Sequence, residues 1–249
     1  MRPDHTDFLE GVRTGRVSEA DACQRLLGAR KENYEDASFR ELLFAIDSLN
    51  RFKSVDWSDV AFVPLMNHYT ADDAIRIEEI CEIEEWTNDH GPGRLAMDLS
   101  IKMLCQVSGH EERLSSLADE LVLMLFDGSR TVSESDTYKL KEWADKKSEG
   151  RPAVMCRQSV TNLIKVQQNS CGAGCDKKFT NMTIHKVVSH VLYADDKGVS
   201  RESIDWIENM IRGAESMGDF ELKLLTRLHR NDVPLCDEYA QLVRVNALQ

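Results

Sequence analysis

Residues 70–86, Thr70-Ala-Asp-Asp-Ala-Ile75-Arg-Ile-Glu-Glu-Ile80-Cys-Glu-Ile83-Glu-Glu-Trp86, decide the fold class. Ile75, Ile80 and Ile83 recur at a helical period, while Asp72, Glu78, Glu79, Glu82 and Glu85 take the opposing positions. Such a pattern buries one stripe of an amphipathic helix and leaves the other in water. Asn88-Asp-His-Gly-Pro-Gly93 then stops it, because glycine and proline punctuate a helical run. Apolar spacing of three and four continues outward in both directions. Leu9 with Val12, and Ala22 with Leu26 and Leu27, predict two short helices split at Gly15, and Phe39, Leu42, Leu43, Ile46 and Leu49 predict a clearer one. Further helices are expected at about 94–107, 111–126, 134–147, 152–168, 181–194, 201–214, 218–229 and 234–246. Alternating β-branched and aromatic runs are nearly absent. The chain therefore reads as all-α, a compact array of about ten short helices arranged as degenerate helical hairpins.

Composition sets the outer bounds. The 249 residues are 42% hydrophobic and 30% charged with 13 Gly and 5 Pro, a globular profile that excludes a disordered or collagen-like chain. No apolar run approaches the roughly 20 residues that span a bilayer, and Arg2, Asp4, Asp7 and Glu10 do not make an export signal, so a cytoplasmic setting is expected. The net charge is -12, and residues 1–100 hold 11 basic and 21 acidic groups. That balance repels phosphate backbones, excludes general nucleic-acid binding, and suits a protein partner with a basic surface. Two subdomains are expected, an acidic helical one over 1–90 and a second over 91–249. Within the latter, Arg151, Arg157, Lys165, Lys177, Lys178 and Lys186 face only Asp176 before Asp195. This surplus could receive an acidic group or complement the chain's own acids.

Four helix starts share one local grammar, an apolar or aromatic residue, a hydroxyl and then an acid. They are Val17-Ser18-Glu19-Ala20-Asp21, Tyr69-Thr70-Ala71-Asp72-Asp73, Val132-Ser133-Glu134-Ser135-Asp136 and Val199-Ser200-Arg201-Glu202. The hydroxyl accepts from one free amide of the first turn, and the carboxylate answers another together with the positive helix end.

The last two units extend further, as Leu121-Val-Leu-Met-Leu-Phe-Asp127-Gly-Ser-Arg-Thr-Val132-Ser133-Glu134 and Val187-Val-Ser-His-Val-Leu-Tyr-Ala194-Asp195-Asp196-Lys-Gly198-Val199-Ser200-Arg-Glu202. Over about 60 residues this resembles the repeated unit of TerB-like proteins of the tellurite-resistance group. The resemblance implies a divalent-cation-binding stress protein, with Asp127 and Asp136 in one turn and Asp195, Asp196, Glu202 and Asp205 in the other as positions for the cation. This chain departs from the pattern by placing Arg130 and Lys197 in the turns and by extending about 100 residues on the N-terminal side. Neither turn has the alternating oxygen pattern of a 12-residue calcium loop.

The 7 cysteines, at 23, 81, 105, 156, 171, 175 and 236, are odd in number and scattered, which suits reduced thiols. Cys81 and Cys105 lie in apolar-periodic stretches and are expected in the core. Cys171-Gly-Ala-Gly-Cys175 could aim two thiolates together, with His185 and Cys156 completing a zinc set, or could act as a thiol-dependent module beside Lys177 and Lys178. His185 and His190 stand about 140° apart on a helix, so one of the two at most could join.

No Gly-x-Ser-x-Gly, His-Glu-x-x-His, Walker loop or Gly-x-Gly-x-x-Gly is present, and no enzyme is expected. Met66, Met97, Met103 and Met124 fall on apolar faces and read as core filler. Trp57, Trp86, Trp143 and Trp206 sit among polar residues, where an indole either closes a helix seam or anchors a partner. The expectation is a non-enzymatic acidic interaction protein, with an inhibitor or decoy of a nucleic-acid-binding complex as its specific form. Its partner-binding residues would be Asp72, Asp73, Glu78, Glu79, Glu82, Glu85 and Trp86.

Overall fold

The computed structural model describes residues 2–52, 54–126, 131–148, 154–170, 174–195, 198–214 and 217–246. Among them the chain is all-α, with two isolated parallel bridges, Ala74 with Ser108 and Val132 with Cys175. No described helix is long and apolar enough to cross a membrane. The chain divides into two compact units, Met1–Leu125 and Phe126–Gln249.

Unit 1 contains α1 (Pro3–Arg13), α2 (Glu19–Leu27), α3 (Lys31–Tyr34), α4 (Ala37–Ser48) and α5 (Val55–Trp57). A π-helical turn, Ser58–Phe62, leads into α6 (Val63–Tyr69), followed by α7 (Ile77–His90), α8 (Arg94–Gln106) and α9 (Glu111–Leu125). Unit 2 contains α10 (Glu134–Lys146), α11 (Arg157–Ser170), α12 (Lys177–Tyr193), α13 (Arg201–Arg212), α14 (Asp219–His229) and α15 (Asp237–Asn246). The boundary expected at 90/91 therefore lies inside unit 1. Gly91, at φ +94°, does end α7, but α8 packs against α4, α6 and α9 and so stays with the first unit. The same division assigns α9 to unit 1 and α10 to unit 2, although their sequences together form the first TerB-like block.

Three hydroxyl caps stand as expected. Ser18, Ser133 and Ser200 each accept from a backbone amide three residues on, at Asp21 (3.1 Å), Asp136 (3.2 Å) and Ser203 (3.1 Å). The fourth does not. Thr70 closes α6, its hydroxyl donating to the Met66 carbonyl (2.8 Å), and α7 begins only at Ile77. The intervening residues are held off the helix by Asp73 at φ +55° and by the Ile75 amide, which donates to Ser108 O (3.0 Å). The helical stretch 55–69, absent from the sequence reading, lies in that gap's approach. Cys81 and Cys105 are exposed, not buried, because Ile80 and Ile83 on α7 and Ile101, Met103 and Leu104 on α8 carry the buried stripes. Met66, Met97 and Met103 are core residues, whereas Met124 is 45% exposed.

The core of unit 1 is built on α4, whose Leu42, Leu43 and Ile46 are buried with Leu65, Ile80, Ile83, Met97 and Leu99. Each such side chain contributes about 1.5–3 kcal/mol by leaving water. The next residue along α4, Asp47, is also buried. Its Oδ1 accepts from Trp57 Nε1 (3.2 Å) and its Oδ2 from the Leu95 amide (2.6 Å) at the start of α8. One carboxylate thus ties three helical segments, and the positive end of α8 favours its charge. Gly93 makes room for it, since a Cβ there would lie 2.2 Å from Asp47 Oδ2.

In unit 2, α12 is central and packs on α10, α11 and α14, burying Phe179, Val187 and Val191 with Trp143, Leu163, Ile164 and Leu224. On α13, Ile204, Ile207 and Ile211 form one buried stripe, while Arg201, Glu202 and Asp205 face water. His190 of α12 is buried, with Nδ1 2.9 Å from Met155 O, its ring edge-on to Trp206, and its Nε2 without a partner. Burial pushes its pKa below the ordinary value; the Met155 carbonyl opposes this and nearby Arg157 reinforces it.

Two outcomes are expected. Asp47→Ala leaves two buried donors without an acceptor and lowers the free energy of urea unfolding by about 2–4 kcal/mol, and Gly93→Ala is destabilising through the same contact. For His190 the folded pKa lies below the unfolded one, so the unfolded state binds more protons and stability falls as pH drops through about 6.5. The stability advantage of wild type over His190→Gln, measured by urea unfolding at several pH values, shrinks across that interval. An advantage constant with pH would contradict this assignment.

Candidate functional site

Four of the acidic residues singled out in the sequence, Asp72, Glu78, Glu79 and Glu82, line one groove of about 540 Å³ in unit 1. Its other walls come from Glu35 after α3, Arg40 on α4, His68 on α6 and Arg76 before α7. The groove rests on an ion pair between a buried arginine and a half-buried glutamate. Arg40 is 6% exposed, and its Nη2 donates to Glu82 Oε1 (2.7 Å) and Oε2 (2.8 Å), while Nη1 donates to the Tyr34 carbonyl (2.8 Å). Two-point geometry matches the guanidinium fork to the carboxylate and fixes α7 against α4. The fully buried Tyr69 lies in the field of this pair, its hydroxyl near the Arg40 guanidinium but outside good hydrogen-bond geometry. Burial pushes the phenol pKa far up, Glu82 adds to the rise, and Arg40 opposes it.

The remaining acids have different fates. Asp72 pairs with Arg76 (2.7 Å), and Glu79 accepts from the Arg76 backbone amide (2.8 Å), capping α7. Asp73 contributes its carbonyl to Ser108 N (3.3 Å). Glu35 stands 3.5 Å from His68 Nδ1, with its side chain mostly in water. Glu78 and Glu85 are exposed and make no ion pair among the described residues. Two of the expected partner-binding residues are corrected by this geometry. Trp86 is 7% exposed, with its ring 5.2 Å from that of Phe44 and Arg40 Cζ 5.9 Å from its centroid, so it closes a helix seam. Glu82 is committed to Arg40, and a ligand cation would have to compete with a buried guanidinium for it.

The residues considered for metal binding are spread over separate places in unit 2. Asp136 is fully buried, and its Oδ2 accepts from the Ser133 amide (3.0 Å) and hydroxyl (2.7 Å) in a reciprocal cap. Glu202 pairs with Arg157 (2.6 Å) and Asp205 with Arg201 (2.9 Å), while Asp195 is exposed after α12. Cys175 bridges to Val132, Cys156 lies beside Ser159 (Sγ to Oγ 3.3 Å), and His185 is exposed on α12. Asp127, Asp196 and Cys171 fall outside the described residues. Among those described, no three His, Cys, Asp or Glu side chains converge as metal ligands.

Three cations of the basic surplus after residue 150 are answered within unit 2. Arg157 meets Glu202, Lys178 meets Glu134, and the buried Lys186 meets Asp145 (2.9 Å) and Ser148 Oγ (3.0 Å). At Asp145 burial favours a higher pKa, but Lys141 and Lys186 together hold it below the ordinary carboxylate value.

Glu35 and Arg40 escaped the sequence reading because the groove draws on three segments and no local pattern joins them. Arg40 carried one signal, a cation lodged in the apolar run of Phe39, Leu42 and Leu43. Comparison with protein-family models, curated proteins and solved structures gives no match.

Two substitutions separate the ion pair from the tyrosine beside it. Arg40→Lys keeps the charge but loses the fork, and is expected to cost about 1–3 kcal/mol in urea unfolding. Tyr69→Phe removes a buried hydroxyl that makes no well-formed hydrogen bond, and is expected to change stability by less than about 0.5 kcal/mol or to raise it. A large loss in the phenylalanine variant would mean that the hydroxyl holds a partner in solution.

Proposed function

We propose that this chain is a non-enzymatic interaction protein whose acidic N-terminal unit binds a basic segment of a protein partner. The distribution of charge carries the reading. Unit 1 has 13 basic and 25 acidic residues, unit 2 has 18 of each, and the whole excess of -12 thus belongs to the first unit. The groove between α4, α6 and α7 gives that excess a shape. Its rim holds Glu35, Asp72 and Glu78, and its base is the fixed Arg40–Glu82 pair. A lysine or arginine side chain entering there would meet several carboxylates around one opening, whose combined field attracts it. An inhibitor or decoy that occupies a nucleic-acid-binding groove is the specific form of this proposal, since a surface dense in carboxylates imitates the field of a phosphate backbone.

The test uses a lysine- and arginine-rich helical peptide as the probe, titrated by fluorescence anisotropy into the full chain. Glu35→Lys/Glu78→Lys is expected to weaken binding at least about tenfold, while Asp4→Lys/Asp7→Lys, with the same change of net charge on α1, weakens it less than about threefold. Raising salt from about 50 to about 500 mM abolishes the interaction, because exposed charge attraction is screened. Equal effects of the two pairs, or indifference to salt, would remove the groove from the account.

A further inference from the structure

A groove in unit 2 has the opposite character. It runs between α12 and α14 to the end of α15, encloses about 820 Å³, and includes no carboxylate in its lining. Its floor is apolar, with Ile184, Val188 and Leu192 on α12 and Leu222 on α14. Its rim is cationic, with Lys223 and Arg227 on α14 and Arg230 at its C-terminal end, while His185 stands on α12. Lys223 is already paired with Asp219. His185 and the guanidinium groups of Arg227 and Arg230 are exposed, with no ion pair or hydrogen bond among the described residues. Neither arginine belongs to the basic run that begins at Arg151, of which Arg157, Lys178 and Lys186 are paired with Glu202, Glu134 and Asp145.

We infer that this groove is a docking site for an acidic amphipathic helix of a protein partner. The spacing supports this choice. Lys223, Arg227 and Arg230 follow one another by four and three residues and so extend about 10 Å along one face of α14. A single phosphate or carboxylate meets two of them at most, whereas acidic side chains at i, i+4 and i+7 of a helix repeat the same interval. Ile184, Val188 and Leu192 repeat by four on the facing helix, which matches the apolar stripe of such a ligand. A nucleic-acid backbone would answer the cations but offers nothing to cover the apolar floor. Unit 2 is itself charge-balanced, so the positive field of the groove is a local one, set by Arg227 and Arg230.

The experiment titrates the full chain into a fluorescein-labelled helical peptide of about 18 residues with leucines on one stripe and glutamates at i, i+4 and i+7. Saturable binding is expected, weakened at least about tenfold in Arg227→Gln/Arg230→Gln and abolished in Arg227→Glu/Arg230→Glu. The glutamine pair guards against misfolding, because charge reversal in the last turn of α14 also opposes the helix dipole. Far-UV circular dichroism and melting of both variants confirm the fold. Failure to bind, equal binding by the glutamine pair, or equal binding of a shuffled peptide without the apolar stripe would overturn the inference. So would displacement by inorganic phosphate beyond that caused by chloride of the same ionic strength, which would identify a small-anion site. Glu35→Lys/Glu78→Lys leaves this binding intact, so its outcome is independent of the acidic groove.

Discussion

A chain folded into many short helices must satisfy a large number of amide groups at helix starts, because each start leaves four N–H groups without an intrahelical acceptor. This protein meets that constraint with carboxylates, several of them buried. Asp47 receives the Leu95 amide across 48 residues, Glu208 the Cys236 amide (2.6 Å), Glu221 the Gly218 amide (3.1 Å) and Asp136 the Ser133 amide. Glu19 reaches 35 residues forward to the Ser54 amide (2.8 Å). For the buried Asp47, Glu208, Glu221 and Asp136, the cost of taking a charge from water is offset by a charge-assisted bond at the positive end of a helix. The long-range members of the set do more than cap. They fix where one helix begins relative to another, and so decide packing as well as local structure.

That use of acids changes how the negative charge of the chain is to be understood. On α7 alone, Glu79 is a cap, Glu82 anchors Arg40 and Glu84 pairs with Arg113, while Glu78 and Glu85 remain for the solvent. A patterned acidic face on paper is therefore partly internal scaffolding in the folded unit. What remains for recognition is narrower and better defined, a rim around the Arg40–Glu82 pair. The second unit reaches neutrality by local pairing and keeps its unanswered cations in a different groove. The two grooves thus have opposite sign and different floors, one ionic and the other apolar, which suits them to different ligands.

Much of the helical layout was legible in the sequence. The segments from Arg94 to His229 and the serine caps at 18, 133 and 200 follow from apolar spacing and hydroxyl chemistry, both local properties. Errors occurred where local and tertiary signals disagreed. Thr70 has a cap's neighbours, but the bridge between Ala74 and Ser108 draws the chain out of helix until Ile77. Cys81 lies among isoleucines yet falls on the wet side of α7, one residue from the buried stripe. Trp86 sits beside two glutamates in sequence and against Phe44 in space. Of the candidate site, the acids of α7 could be named in advance, but Glu35 and Arg40 could not, since their approach depends on how α4, α6 and α7 pack.

By itself, the sequence determined the helical class, most helix boundaries and the imbalance of charge between the two ends of the chain. These depend on periodicity, capping residues and composition, all of which act over a few neighbours or over none. The tertiary structure decided which carboxylates are spent on amides and arginines, where the chain divides into units, and which charged groups are left facing water in a groove. Those outcomes depend on pairings across tens of residues, where one buried donor selects its acceptor from many equivalent acids, and only the packed helices make that selection.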